Sequence, residues 1–108
     1  MSAFESNTVQ RKITRGAILK LLSESVDRPL MVQTLEYMLK WIGGDVSRDM
    51  LACVNFLLDR GYIRVWNAEE AGAAGAPDVL LCITANGQDV VDGTVKDLSV
   101  IIPREGRR

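Results

Sequence analysis

The stretch LACVNFLLDRGYIRVW, residues 51–66, changes its hydrophobic period part-way along. Its first half repeats apolar residues at helical spacing, whereas its second half alternates Ile63 and Val65 with Arg64 and Trp66. Gly61 stands between the two patterns, and glycine commonly ends a helix because it accepts the left-handed backbone conformation. The stretch therefore predicts a helix that passes directly into a β-strand.

A second stretch, CITANGQDVV at residues 82–91, predicts the opposite passage, from a strand into a helix. Residues 79–83 form the return strand, Thr84 is a suitable N-cap, and Gly87 allows the helix to approach a neighbour closely. Gly93 ends this short helix. Between the two strands, residues 67–78 are rich in glycine and alanine and predict a flexible hairpin tip.

Upstream, residues 11–25 repeat apolar side chains at helical spacing, which predicts a first helix. Its inward stripe is expected to be Ile13, Ala17, Ile18, Leu21, Leu22 and Val26. Residues 1–10 are mostly polar and aperiodic, and we expect them to form a flexible N-terminus.

The second helix is expected over residues 30–42, because Pro29 suits the start of a helix and two glycines follow Ile42. Its inner face comprises Met31, Leu35, Met38, Leu39 and Ile42, with Val32 beside it. The third helix follows a short turn and is capped by Asp45 or Ser47. Its core face comprises Val46, Met50, Cys53, Val54 and Leu57.

The order of elements is helix, helix, helix, strand, loop, strand, helix. It predicts a mainly α fold with a small β-hairpin, in the α+β class: a winged helix-turn-helix of three core helices, a two-stranded wing and a closing helix over residues 11–93. Residues 94–108 are a C-terminal arm and basic tail, and residues 94–102 fit either a short helix or an extended arm.

The two quoted stretches, in this order, resemble the multiple-antibiotic-resistance (MarR), PadR and ArsR-like regulators. In the MarR and PadR-like regulators a Leu-Thr-x-x-Gly junction joins the last wing strand to the next helix, and Thr84 and Gly87 resemble it here. The short chain and the sequence GQDVVDG also resemble a family of small winged-helix proteins from Mu-like bacteriophages. The resemblance implies a DNA-binding regulator and leaves its target open.

The third helix would then present Arg48, Ala52, Asn55 and Asp59 to the major groove. Arg48 fits guanine or a phosphate, Asn55 fits adenine, and Ala52 fits a thymine methyl group. Arg28, Lys40 and Arg15 are expected to contact the DNA backbone. The alternative is an ordinary solvated helix face.

Charge weakens the case for DNA. The 108 residues carry 13 basic and 14 acidic side chains, so the formal net charge is −1. A DNA-binding domain usually has a basic excess, because neutralising phosphates supplies much of the affinity. The expected wing tip contains Glu69, Glu70 and Asp78 and no basic residue.

A second surface, distinct from the DNA-binding face, is expected on the side away from the predicted core. It comprises Leu30, Tyr37, Trp41 and Trp66. Tyrosine and tryptophan are favoured anchors of protein interfaces. This surface predicts a homodimer or a protein partner, and a protein-interaction module that has lost DNA binding is the alternative function. The same side chains would otherwise pack beneath the wing or against the N-terminal segment.

Enzymatic chemistry is not expected. The chain has no histidine, which is the commonest general base, and Cys53 and Cys82 lack the close spacing of a metal site. We expect both cysteines to be buried, reduced thiols, and we expect no cofactor. No apolar run is long enough to span a membrane and the N-terminus lacks a signal-peptide core, so the cytoplasm is the expected location.

Overall fold

The computed structural model describes residues 3–25, 28–42, 50–66 and 79–103, with only the backbone of residues 3–7 and Ile42. The elements are α1 (Ala3–Glu24), β1 (Leu30–Met31), α2 (Val32–Ile42), α3 (Met50–Asp59), β2 (Ile63–Val65), β3 (Leu80–Ile83) and α4 (Ala85–Asp92). Within these ranges the fold is mainly helical with one small antiparallel sheet, as the α+β prediction required. The predicted caps Asp45 and Ser47, the core positions Val26 and Val46, the tip 67–78 and the tail 104–108 lie outside the described residues.

Helix α1 is the central element of the core. It begins at Ala3, well before the predicted start at Arg11. Residues 16–19 are all buried, and four consecutive residues complete a full turn, so the helix is enclosed on every side at this level. The prediction of a single inward stripe is therefore wrong for α1: Leu19 is buried, whereas Ile13 is exposed.

The second helix begins later than predicted, because Leu30 and Met31 form a strand. In β1 they pair with Leu81 and Leu80 of β3, and the Val32 N–H then donates to the Val79 carbonyl at 3.1 Å. Leu30 consequently packs against the core and Met31 points outward, opposite to the predicted inner position of Met31. Along α2 itself Val32, Leu35 and Leu39 are buried as predicted, and Met38 is half-buried.

The sheet has three antiparallel strands in the order β1-β3-β2, rather than the two of the predicted hairpin. Ile63, Arg64 and Val65 pair with Ile83, Cys82 and Leu81. Because successive side chains alternate between faces, Ile63, Val65 and Leu81 lie on the core side and Arg64 and Cys82 on the outer side. Cys82 is buried there outside the main core cluster, and both cysteines are free thiols, as predicted.

The predicted strand-to-helix junction at Thr84 is confirmed. The Thr84 hydroxyl accepts a hydrogen bond from the Gly87 N–H at 3.2 Å and donates one to the Gly61 carbonyl at 2.6 Å. A side chain at Gly87 would overlap the Tyr62 carbonyl. Gly93 ends α4 at a φ of 86°. The junction thus ties the start of α4 to the end of α3.

The segment after α4 forms no helix over residues 94–103, so the short-helix alternative is wrong, and it passes through bends and a turn in which the Val100 N–H donates to the Asp97 carbonyl at 3.2 Å. We call residues 94–103 the arm. Val100 of the arm is buried in the core, and the Ile101 N–H donates to the Lys12 carbonyl at 3.0 Å. The arm therefore packs along α1 as part of the folded core.

Candidate nucleic-acid interface

Helix α3 has one face in the core and one in solvent. Met50, Cys53, Val54 and Leu57 are buried, as the spacing predicted. The opposite side exposes Leu51, Ala52, Asn55 and Asp59. Ala52 and Asn55 lie one turn apart on this side, so they present a short methyl group and an amide to the same region of solvent. Leu51, which is 54% exposed, adds an apolar group that the sequence analysis did not single out.

Of the basic residues proposed from the sequence, Arg28 and Lys40 are exposed, on the segment before β1 and in the last turn of α2. Arg48 lies outside the described residues. Arg15 differs from the others, because its side chain is half-buried between α3 and the arm. Its Nη1 donates to the Ser99 carbonyl at 3.0 Å, and its charge lies 3.8 Å from the centre of the Phe56 ring.

Phe56 connects α3 to α1 and to the loop before β2. The Arg60 guanidinium also lies over its ring, 4.6 Å from the centre, so two cations contact one aromatic side chain. A cation over an aromatic face is attracted by the negative charge of the ring surface. Phe56 is half-buried beside the core face of α3, and these contacts show how it is packed there.

Asp97 of the arm is the polar centre of this region. Its carboxylate accepts hydrogen bonds from the Tyr62 hydroxyl at 2.5 Å and from the Ser99 N–H at 2.7 Å. It also forms an ion pair with Arg60, with 3.1 Å between Nη1 and Oδ2. Sequence reasoning missed this network, since Asp97 and its two side-chain partners are far apart in the chain and follow no periodic pattern.

The network shifts the pKa values of both acidic partners. Burial acts to raise the pKa of Asp97, but hydrogen bonds from Tyr62 and Ser99 and the charge of Arg60 together hold it below the ordinary 3.8. The hydrogen bond to the Asp97 carboxylate, together with burial, raises the pKa of Tyr62 above 10.0. Asp97 is therefore ionised at neutral pH and links the arm to the segment between α3 and β2.

The four residues proposed as a partner surface are not brought together as one face. Tyr37 and Trp41 form an edge-to-face pair on α2, with ring centroids 6.2 Å apart, and they are 61% and 77% exposed. Leu30 instead packs against the core from β1. Trp66 is exposed and lies one residue after the end of β2. The aromatic pair on α2 therefore remains as a compact exposed patch.

Among the described residues, no group of three or more histidine, cysteine, aspartate or glutamate side chains is placed to hold a metal ion. None of the helices in the described ranges has the length and apolar character needed to cross a membrane.

No protein-family model, curated protein or solved structure matches this chain.

Proposed function

We propose that this chain is a winged-helix, DNA-binding protein that acts as a transcriptional regulator. The observation that carries the proposal is the exposed side of α3, where Ala52 and Asn55 face solvent while the opposite side is fixed in the core. A helix held in this way can enter the major groove, in which an asparagine amide pairs with adenine and a methyl side chain contacts thymine.

The order of the elements supports the same proposal. Helices α1, α2 and α3 precede the antiparallel strands β2 and β3 and the short helix α4, with the two-residue strand β1 between α1 and α2. Apart from β1, this is the order predicted from the sequence for a winged-helix domain. Lys40 and Arg28 are exposed and would contact phosphates, with Arg48 adjacent in sequence to α3. Arg15 is left out of the site, because its guanidinium is engaged with Phe56 and Ser99.

The resemblance to small proteins of Mu-like bacteriophages extends the proposal to a phage- or prophage-encoded regulator that works in the host cytoplasm. Regulators of this kind bind paired half-sites as symmetric dimers. We accordingly propose a homodimer on DNA.

The test is a selection from a random pool of duplex DNA with the purified protein. We expect an enriched motif that contains an A·T pair read by Asn55. Asn55→Ala should lower the affinity for that motif by roughly 5- to 100-fold and relax the preference at that base pair. Gln33→Ala, at an exposed position of α2, is the matched control and should change neither. A selection without enrichment would refute the proposal.

A second candidate is a protein-interaction module, favoured by the exposed pair Tyr37 and Trp41 and by a net charge of −1. Clustered aromatic side chains are typical of interface centres. If this candidate is right, Trp41→Ala changes the mass measured by light scattering, or abolishes a partner contact, while the fold survives. An unchanged mass and unchanged contacts would leave the aromatic pair without this role.

A further inference from the structure

The outer face of the sheet carries a row of apolar side chains that crosses all three strands. Met31 of β1 is the cross-strand partner of Leu80 in β3. The Trp66 N–H donates to the Leu80 carbonyl at 2.7 Å, which continues the β2–β3 pairing by one residue and places Trp66 opposite Leu80. Side chains opposite each other in antiparallel strands share a face, so Met31, Leu80 and Trp66 are direct neighbours.

This row lies away from the core. Met31 is 37% exposed and Trp66 is 54% exposed, whereas the adjacent strand residues Leu30 and Val65 pack inward. Three large apolar side chains at neighbouring positions on one face of a sheet form a patch, unlike the scattered exposed residues of an ordinary surface.

One cation borders the row. Arg64 lies beside Cys82 on the same outer face, and its guanidinium lies 5.3 Å from the centre of the Trp66 ring. Within the described ranges Arg64 has no carboxylate partner, and it is the one charged strand residue on this face. The contact with Trp66 orients a guanidinium whose N–H groups can bind a carboxylate through two parallel hydrogen bonds.

We propose that this outer face is a docking site for a protein segment that carries a carboxylate beside a large apolar side chain. The apolar side chain would pack on Met31, Leu80 and Trp66, and the carboxylate would pair with Arg64. Tryptophan, methionine and arginine are among the residues enriched in protein interfaces. A single-stranded nucleic acid fits less well, because such sites add a basic groove to their aromatic side chains, and the described strand residues of this face include one cation.

The test begins with a displayed library of random peptides, selected on the immobilised full chain. We expect the enriched peptides to place Asp or Glu within two positions of Leu, Ile, Phe or Trp. A synthetic copy of an enriched peptide should bind at least tenfold more weakly to Trp66→Ala and to Arg64→Gln. Leu98→Ala, which removes an exposed apolar side chain of the arm, is the matched control and should bind as the wild type does.

Two further readouts separate docking from a loss of structure. Trp41→Phe leaves Trp66 as the sole tryptophan of the chain, so its emission should shift on titration with the peptide. Arg64→Glu should reverse the selection towards peptides with Lys or Arg, which a purely structural role for Arg64 would not produce. Met31→Ser provides a second site at which weaker binding is expected if Trp66→Ala fails to fold.

The proposal is overturned if no enriched peptide depends on Trp66 and Arg64, or if Arg64→Glu selects the same acidic peptides. It is also overturned if these variants lose affinity for single-stranded or duplex DNA and keep their affinity for peptide. Because duplex binding by Asn55 variants is measured separately, failure here is distinguishable from failure of the proposed DNA-binding function.

Discussion

Gly16 of α1 lies directly against the carbonyl group of Ile101 in the arm, so closely that a Cβ on Gly16 would overlap the oxygen and carbon of that carbonyl. The neighbouring hydrogen bond from the Ile101 N–H to the Lys12 carbonyl holds the arm at this distance. A glycine in the middle of a helix is unfavourable by itself. Its position here is explained by the backbone that crosses it.

Gly16→Ala should therefore destabilise the protein, although alanine is the better helix former by about 1 kcal/mol. The overlap with Ile101 must displace the arm, and overpacking of this kind costs roughly 1–3 kcal/mol. Urea unfolding measures the difference, with Gln33→Ala at an exposed helical position as the control. A stabilised Gly16→Ala variant would show that the arm does not lie on α1 as described.

Asp97 should contribute to stability in a pH-dependent way. Its pKa in the folded protein lies below the ordinary 3.8, so its contribution is present above that pH and is lost as the pH falls through the lower folded value. The free energy of unfolding of Asp97→Asn should be lower than that of the wild type near neutral pH, and the gap should narrow in acid. A gap that stays constant from neutral pH to pH 2 would contradict the ionised network with Arg60 and Tyr62.

Thr84→Ala should cost about 1–2 kcal/mol, because the hydroxyl both caps α4 and bonds to the Gly61 carbonyl. Thr84→Ser keeps the hydroxyl and should retain most of the stability in the same urea experiment. Equal losses in the two variants would mean that the methyl group, rather than the hydroxyl, is what matters at this junction.

Alanine variants of Arg15 and Arg28 should distinguish a loss of stability from a loss of DNA binding. Arg15→Ala removes the hydrogen bond to Ser99 and the contact with Phe56, so we expect it to lose roughly 1–3 kcal/mol of stability. Arg28→Ala is exposed and should leave stability within about 0.5 kcal/mol while weakening DNA binding. Thermal unfolding paired with a duplex-binding assay tests both, and an Arg15→Ala variant of full stability would return Arg15 to the candidate interface.

Regular spacing made part of the fold predictable. One side of α3 repeats buried residues at helical spacing, namely Met50, Cys53, Val54 and Leu57. The N-cap of α4 depends only on the nearby residues Thr84 and Gly87, so both features could be recognised in the sequence. Leu19 could not, because a helix enclosed on all sides has no single apolar stripe. The strand of Leu30 and Met31 is too short to show a period, and its existence depends on β3.

The candidate sites, like the fold, were predictable from the sequence only in part. The exposure of Asn55 follows directly from the helical period of α3. The ion pair of Arg60 with Asp97 joins residues that are distant in the chain, and the Met31–Leu80–Trp66 row depends on strand register across a sheet whose third strand was not predicted. Contacts of this type require the three-dimensional arrangement.

The salt dependence of duplex binding tests the central claim most directly. Fluorescence anisotropy of a labelled duplex is measured with the wild type and with Lys40→Ala, at salt concentrations from roughly 50 to 200 mM. If Arg28, Lys40 and Arg48 each neutralise one phosphate, the wild-type affinity should fall by roughly 40-fold over this range for each bound copy. For each bound copy, Lys40→Ala should also make the slope of log affinity against log salt concentration shallower by about 0.9. A wild-type protein without measurable, salt-dependent affinity for any duplex at low ionic strength would contradict the account.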